Sequence, residues 1–338
     1  MKEIISIVLV IIGALVGAGF ASGQEIFSFF YSYGKNGIYG ILLMSIIIGI
    51  YIHIILKIIC QNEIYNYEDF LSLFIKNKKI KKFIFFIINV LLLISFFIMV
   101  AGFGAYFEQE IGLNKMIGSI VLDILCAIVF FSNVKGVLKV SDFIVPFLII
   151  FISFIGIQNM TELKFIEFNE QKNNWILSMI IYTSYNLILL IPVLISLKKQ
   201  VKTQKNIKYI SILSTEIILI LSIAIFFLLT KVDISELENQ EMPVVYIISN
   251  YFINYKKIYA FIILASIFTT AISVGIGFIQ NMNRNQNSYP QLVLFMCITS
   301  LIVSNFGFSK LVNLIYPIFG YIGILQMIII LRLQYKLK

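Results

Sequence analysis

GALVGAGFASGQE, residues 13–25, interrupts the first long apolar run of the chain. Four glycines fall within eleven positions, from Gly13 to Gly23, and each costs about 1 kcal/mol in a helix relative to alanine. Polar residues and the Glu25 carboxyl group follow, so the composition predicts an unwound segment near the middle of the membrane. Unwound backbone is tolerated there only where it lines a cavity or is buried in protein. Its free N–H and C=O groups then become candidate ligands, and the helix that resumes near Ser22 would point its positive dipole end at them.

Two alternatives remain open for this segment. Gly13 and Gly17 form a GxxxG spacing, which is typical of close helix packing in membranes, although that spacing does not account for Gly19, Gly23 or the polar residues after them. Glu25 is a functional candidate because burial of an ionisable group in a membrane is costly. It could bind an amine, carry a coupling proton, or simply cap the first turn of a helix.

The composition of the whole chain defines its class. Of 338 residues, 60% are hydrophobic and 13% are charged, and the mean hydropathy is +0.96. A soluble protein cannot bury so much apolar surface, which excludes soluble enzymes, nucleic-acid binders and disordered chains. Cys60, Cys126 and Cys297 have no metal-binding or disulfide spacing, and they are interpreted as buried apolar side chains. The sequence predicts an all-α, polytopic membrane protein with no resident cofactor.

Ten apolar runs approach the roughly 20 residues that a membrane helix needs. The predicted spans lie at about 4–33, 37–59, 83–107, 116–132, 137–157, 175–197, 207–230, 257–280, 289–306 and 311–331. The first is too long for a simple span, whereas the fourth and ninth are short. The runs lack the alternation of a membrane barrel. We expect one transmembrane domain over residues 1–338, with a first repeat at about 4–157 and a second at about 175–331.

Lysine and arginine are concentrated in alternate loops, notably in 57–82, 135–139 and 198–208. By the positive-inside rule this bias predicts that both termini are cytoplasmic. The net charge of +9 would then face anionic lipid headgroups. The apolar segment Pro243–Tyr255 is predicted to form a short interfacial helix.

Spans 6 and 8 carry further polar residues. In transporters with inverted repeats, two interrupted helices occupy matching positions, so the partner of span 1 in a ten-span protein is span 6. Span 6 has a polar cluster at Tyr182–Asn186, followed by Pro192, and we expect a second discontinuity there. The alternative is a polar face that hydrogen-bonds to a neighbouring helix. Span 8 has a stripe of hydroxyl side chains at helical spacing, formed by Ser266, Thr269, Thr270 and Ser273. These oxygen atoms suit a monovalent cation. The alternative is that the hydroxyls bond to carbonyls of their own helix.

The break Gly17-Ala18-Gly19-Phe20 resembles the G-[SA]-G-[IVF] motif in helix 1 of the amino acid–polyamine–organocation superfamily. The longer string from Gly17 to Glu25 is similar to the YkvI-like bacterial membrane proteins of that superfamily. The resemblance implies a LeuT-type fold, in which five plus five helices form an inverted repeat, over about residues 1–335. It also implies a location in the bacterial cell membrane.

The resemblance further implies a sodium site between spans 1 and 8. In sodium-coupled members of the superfamily, carbonyl groups at a GxxVG pattern in helix 1 face paired hydroxyls in helix 8. The pattern occurs here at Gly13–Gly17, and the paired hydroxyls match two adjacent threonines. The candidate sodium ligands are Gly13, Val16, Ser266, Thr269 and Thr270.

The same resemblance implies a solute site between spans 1 and 6. A substrate carboxylate would bind backbone N–H groups from Gly19 to Gly23, whereas an amine would find span 6 carbonyls and Glu25. The apolar or aromatic walls of the site would be formed by five side chains: Phe20, Phe103, Tyr106, Tyr182 and Tyr185. The full set of candidate substrate residues is Gly17, Ala18, Gly19, Phe20, Ala21, Ser22, Gly23, Gln24, Glu25, Phe103, Tyr106, Tyr182, Thr183, Ser184, Tyr185 and Asn186.

The function expected from these features is ion-coupled symport of a small organic solute, most simply an amino acid, by alternating access. The coupling ion is sodium or a proton. The alternative is a ligand-sensing receptor subunit of the same fold, without net transport. A channel has less support, because no pore-lining ring or filter sequence occurs. His53, Asp123 and Glu216 are ionisable residues within spans and remain secondary candidates.

Overall fold

A computed structural model describes residues 2–160, 173–201, 203–238, 240, 242–282, 289–304 and 308–336. Over these residues the secondary structure is helical. The α-helices, numbered in chain order, are α1 Lys2–Leu15, α2 Ala18–Ala21, α3 Gln24–Phe29, α4 Lys35–Gln61, α5 Tyr67–Ser72, α6 Lys78–Tyr106, α7 Lys115–Phe131, α8 Asn133–Met160, α9 Trp175–Ser196, α10 Gln204–Leu229, α11 Ile234–Leu237, α12 Pro243–Tyr251, α13 Lys256–Met282, α14 Tyr289–Val303 and α15 Phe308–Lys336.

The ten predicted spans each have a helical counterpart. Span 1 corresponds to α1, α2 and α3 together, and the others correspond to α4, α6, α7, α8, α9, α10, α13, α14 and α15. Within the described residues, seven helices are long and apolar enough to cross a membrane. The remaining three spans are the interrupted first one and the short helices α7 and α14. Residues 161–172, between predicted spans 5 and 6, and residues 305–306, at the end of predicted span 9, lie outside the described residues.

Several helices start where a side chain accepts the first free backbone N–H groups, as expected for N-terminal caps. Asn77 accepts from the N–H groups of Lys79 and Ile80 at the start of α6. Asn114 and Thr203 do the same for α7 and α10. Local sequence therefore determines where these spans begin.

Packing between spans repeats with a shift of five. Span 1 packs on span 5 as span 6 packs on span 10, and span 1 packs on span 7 as span 6 packs on span 2. Spans 3 and 9 are in contact, as are their counterparts, spans 8 and 4. This recurrence is the packing expected of a five-plus-five repeat.

The discontinuity expected in span 6 is absent, and that part of the prediction is wrong. Helix α9 runs without a break from Trp175 to Ser196 and contains Pro192. Its polar residues do not open the helix, because they bond to carbonyls of the preceding turn. Thr183 Oγ1 donates to Met179 O at 2.7 Å, and Asn186 Nδ2 donates to Tyr182 O at 3.0 Å.

The helix predicted in Pro243–Tyr255 is present as α12, although it does not lie apart at the membrane surface. Its apolar side is buried against protein, since α12 packs on α3, α10 and α13. Val244 and Ile247 are fully buried. Helix α12 therefore covers the resumed part of span 1.

Candidate functional site

Span 1 breaks twice within eight residues. Helix α1 ends at Leu15, Gly17 is extended with φ −91° and ψ −165°, and α2 forms a single turn. Gly23 then has a φ of +80°, a left-handed conformation that favours glycine, before α3 begins. The predicted interruption of span 1 is thus confirmed as two breaks separated by one helical turn.

The backbone N–H groups of this segment are less available than expected. Ala21, Ser22 and Gly23 donate to the carbonyls of Gly17, Ala18 and Phe20 respectively. These three N–H groups are therefore occupied within the segment, and of the stretch from Gly19 to Gly23 only the N–H groups of Gly19 and Phe20, in the first turn of α2, are left for a ligand. The expectation that a carboxylate would bind N–H groups all the way to Gly23 is corrected to this shorter stretch.

Glu25 lies at the centre of the site. It stands in the first turn of α3 and is 4% exposed. Its carboxylate accepts a hydrogen bond from the Tyr185 hydroxyl of span 6 and also faces Tyr182. Since its carboxylate bonds across to span 6, Glu25 does more than occupy a favourable place at a helix start. It joins the broken helix to the polar cluster of α9.

Gly19 permits this placement of Glu25. A Cβ atom at Gly19 would overlap the Glu25 carboxylate, so the carboxylate lies directly on the glycine backbone. Ala21 O of the same turn accepts a hydrogen bond from Tyr259 in span 8. Tyr106, the predicted residue on span 3, interacts electrostatically with Tyr259.

Aromatic rings cluster around the two tyrosines that face the carboxylate. The ring centroids of Tyr182 and Tyr185 are 5.2 Å apart, and Tyr185 stacks on Tyr316 of span 10 with a centroid distance of 4.7 Å. The Phe29 and Phe30 rings lie 5.4 Å and 4.9 Å from the Tyr182 ring, also between centroids. Tyr316, Phe29 and Tyr259 were not predicted as site residues. Phe29 follows Glu25 by four residues on α3, which is a usable signal, whereas Tyr259 and Tyr316 come from distant spans.

The other predicted site residues have surroundings of several kinds. Ser184 Oγ contacts Gly320 O at 2.7 Å and so faces span 10, which fits the alternative of a polar helix-packing face. Thr183 bonds within its own helix, as described above. Phe103 stacks on Phe107 at 5.3 Å, beside Gly118 of span 4. Phe20 is buried. Gln24 has a buried Oε1 atom without a hydrogen-bond partner among the described residues, which leaves it able to accept a donor from a ligand.

The candidate sodium residues lie together at the contact between α1 and α13. Thr270 Oγ1 donates to Gly13 O at 2.7 Å, between two buried residues. Thr269 lies against Gly13, and its hydroxyl donates to Ser266 O at 3.0 Å. Val16 precedes the first break. Oxygen atoms of the kind that a small hard cation prefers therefore meet where span 1 first unwinds.

The three secondary candidates lie away from Glu25. His53 Nδ1 is 3.3 Å from Ser211 Oγ, between spans 2 and 7. Glu216 is on an exposed face of α10. Asp123 is buried between spans 4 and 9, where it meets Ser300. The three cysteines were expected to be buried. Cys126 is buried, whereas Cys60 and Cys297 are half-buried.

A cavity of about 880 Å³ opens at the ends of the spans on the side of the N-terminus. Its lining comes from the loop after α4, the α7–α8 turn, the end of α9, and the facing ends of α13 and α14. Lys135, Lys199 and Gln280 are among its polar residues. On the opposite side, α12 covers the second break, where Val244 N donates to Ser22 O at 2.9 Å.

Solved structures share this fold. Mhp1, a nucleobase-cation-symport-1 family transporter solved in a closed conformation with bromovinylhydantoin bound, matches with a TM-score of 0.61 at 10% identity. The match covers 89% of this chain and 73% of that one. A manganese transporter of Eremococcus coleocola matches with a TM-score of 0.59 at 15% identity, over 88% of this chain and 69% of that one. The chain thus has the LeuT-type fold of ten spans.

No protein-family model matches the chain. The uncharacterised protein YyaD of Bacillus subtilis (strain 168) is 26% identical over 330 residues, which cover 96% of this chain and 94% of that protein. The uncharacterised membrane protein YkvI of the same organism is 32% identical over 332 residues, covering 93% of this chain and 91% of its own length. Similarity at that level over nearly the full length of both proteins shows that the chain belongs to the YkvI family of membrane proteins.

Proposed function

We propose that this protein is a secondary transporter that carries a small organic solute, an amino acid, across the cell membrane together with an ion. The observation that carries the proposal is the buried Glu25 carboxylate, held by Tyr185 beside two helix breaks in a LeuT-type fold. A buried ionisable group in a membrane protein is costly, which favours a functional role. We also propose that the chain is a member of the amino acid–polyamine–organocation superfamily.

The surroundings of Glu25 suit the amine end of the solute. An ammonium group would pair with the carboxylate and lie against the faces of Tyr182, Tyr185 or Tyr316, where cation–π attraction adds to the ion pair. The solute's carboxylate would take the first-turn N–H groups of α2. The amide of Gln24, whose Oε1 is unpartnered among the described residues, would accept a remaining donor.

The coupling ion in this proposal is sodium. The Thr270 hydroxyl and the Gly13 carbonyl, 2.7 Å apart, would both turn an oxygen lone pair to the ion. Val16 and Ser266 would add carbonyl groups and Thr269 a second hydroxyl. A proton carried by Glu25 is the alternative coupling mechanism, and it predicts no effect of sodium.

Alternating access would act on the contacts that close the two sides. The structure has a cavity on the N-terminal side, and α12 sits over the break on the other side. In transporters of this architecture, one group of spans rocks against the other around a central site. We propose that movement of α12 away from Ser22 admits the solute from the side opposite the N-terminus.

Thermal stability of the purified protein tests the proposal. A ligand that binds only the folded state raises its stability by about 2.7 kcal/mol at a hundredfold excess over Kd. We would screen the amino acids with sodium and with potassium at matched ionic strength, and follow each hit with uptake into proteoliposomes. Stabilisation and uptake that both require sodium are expected. Binding without uptake would favour the receptor alternative, and no response to any amino acid would overturn the substrate class.

Thr270→Ala tests the ion site separately from the solute site. The substitution removes a hydroxyl next to Gly13 O, so the sodium concentration for half-maximal stabilisation should rise about tenfold, which corresponds to 1.4 kcal/mol. Thr299→Ala is the matched control, because Thr299 is half-buried and its hydroxyl bonds to carbonyls of its own helix, Phe295 O and Met296 O. Unchanged sodium dependence in Thr270→Ala would remove this site from the proposal.

A further inference from the structure

A second buried carboxyl group lies on span 4, where it contacts span 9 and not the spans that hold Glu25. Asp123 of α7 is 5% exposed and meets Ser300 of α14, with Ser300 Oγ at 2.8 Å from Oδ2 and 3.0 Å from Oδ1. Ser300 Oγ also lies 2.6 Å from Cys297 O, three residues before it on the same helix. Ser300 is fully buried. One hydroxyl thus faces three acceptor oxygens.

A serine hydroxyl has one proton and can satisfy one of those acceptors. If Asp123 were ionised, its two oxygens would share that single donor, and a buried charge would have one hydrogen bond. If Asp123 is protonated, its O–H donates to Ser300 Oγ, and the Ser300 O–H donates to Cys297 O. Only the protonated form turns both short contacts of Ser300 Oγ, the one with the Asp123 carboxyl group and the one with Cys297 O, into hydrogen bonds.

The charges around Asp123 favour the same form. Among the described residues, the ionisable side chains that face it are the thiols of Cys126, on its own helix, and Cys297, on α14. Within the described part of the chain, no lysine, arginine or histidine forms an ion pair with Asp123. An isolated carboxylate in an apolar interior is far more costly than a neutral, hydrogen-bonded acid.

We propose that Asp123 is a buried proton-binding site, in which a neutral carboxylic acid donates to Ser300 and joins span 4 to span 9. These two spans are counterparts in the five-span repeat. The bond therefore fixes together equivalent helices of the two halves. The site is separate from the solute and sodium residues proposed above, and it stands whether or not that function holds.

Infrared difference spectroscopy of the full-length protein in lipid tests the proposal. A protonated carboxyl group has a C=O stretch above the amide I band, which moves to lower frequency in D₂O. That band should be present at neutral pH in the wild type and absent in Asp123→Asn. Glu25→Gln is measured beside it, so that any band from Glu25 is assigned separately. A loss of carboxylate bands in Asp123→Asn, with no loss of the C=O band, would overturn the proposal.

Thermal melting provides a second measurement. Asn can donate its amide N–H to Ser300 and carries no charge, so Asp123→Asn should melt close to the wild type. Ser300→Ala removes the acceptor of the Asp123 proton and should lower the melting temperature clearly more. If Asp123→Asn were the more destabilised of the two, Asp123 would be acting as an anion and the proposal would fail.

Discussion

Glu25 owes its position to a neighbour that has no side chain. Gly19 leaves the space that the carboxylate occupies, and Tyr185 holds the carboxylate from the opposite span. We therefore expect Gly19→Ala, the smallest possible change, to displace Glu25 and lower solute affinity by at least about tenfold, a loss of 1.4 kcal/mol. Solute-dependent thermal stabilisation of the purified variant measures this.

Gly277→Ala is the matched control for that substitution. It also adds one methyl group to a buried glycine in a span, but its Cβ would meet Pro192 at 3.3 Å and not the Glu25 site. We expect solute affinity in Gly277→Ala to stay within a factor of about two of the wild type. Equal effects of both substitutions would mean that Gly19 acts through general packing.

Part of the candidate site could be predicted because its residues are close together in the sequence. The glycines and Glu25 are adjacent in sequence, and Tyr182 and Tyr185 share a helix face at a spacing of three. Tyr316 and Tyr259 could not be predicted in this way, because nothing near them in sequence shows that they face Glu25 or Ala21. Ser184 is a different case, since its hydroxyl donates to Gly320 O of span 10 and its polarity is accounted for by helix packing.

At the scale of helices, α4 and α10 approach each other closely at Gly49. A Cβ there would overlap Thr215 Oγ1. Gly49→Ala should therefore destabilise the protein by about 1–3 kcal/mol through overpacking. The measurement is the melting temperature in detergent at fixed lipid content.

Thr215→Ala supplies the test of that cause. Removing the threonine Oγ1 makes room for the new methyl group, so Gly49→Ala with Thr215→Ala should recover much of the loss. The two substitutions contact each other, and their effects should not add. Additive destabilisation would show that Gly49 matters for some reason other than this contact.

The contrast between span 1 and span 6 shows where prediction of elements succeeds. Glycines have no side chain to bond back to the helix, and Gly17 and Gly23 take conformations that end it. The polar residues of α9 have side chains that bond to the preceding turn, so the helix continues. The symmetry of the repeats predicted a break in span 6, but these side-chain hydrogen bonds are compatible with a continuous helix.

At the scale of the whole molecule, the cavity and α12 lie on opposite sides of the site. Gln280 lines the cavity, whereas Asn250 is exposed on α12. In a protein lacking native cysteines, a membrane-impermeant thiol reagent should label Gln280→Cys from the side of the N-terminus. The same reagent should label Asn250→Cys only from the other side.

Sided labelling of oriented vesicles measures this. Solute with sodium should also slow labelling of Gln280→Cys if the cavity closes during transport. Labelling of both positions from one side would contradict the ten-span topology. The expected cytoplasmic termini are tested at the same time, because the side that labels Gln280→Cys is the side of the N-terminus.

The order and number of spans could be predicted because charged or polar residues separate the apolar runs, even where a run is short or the separation is narrow. Helix α12 was predicted as an element, yet its burial on α3, α10 and α13 depends on how distant spans come together. Packing that repeats with a shift of five spans was expected from the LeuT-type fold. The individual contacts between spans could not be predicted, because sequence patterns do not show which distant helices pack together.

The short piece of chain from Gly13 to Glu25 has a thermodynamic consequence for the proposed transporter. It carries ion-ligand candidates before the first break and solute-ligand candidates after it, so binding of either ligand would restrict the same backbone. The second ligand would then lose less conformational entropy on binding, which makes the two events positively cooperative. By linkage, sodium would raise the affinity for the solute by the factor with which the solute raises the affinity for sodium.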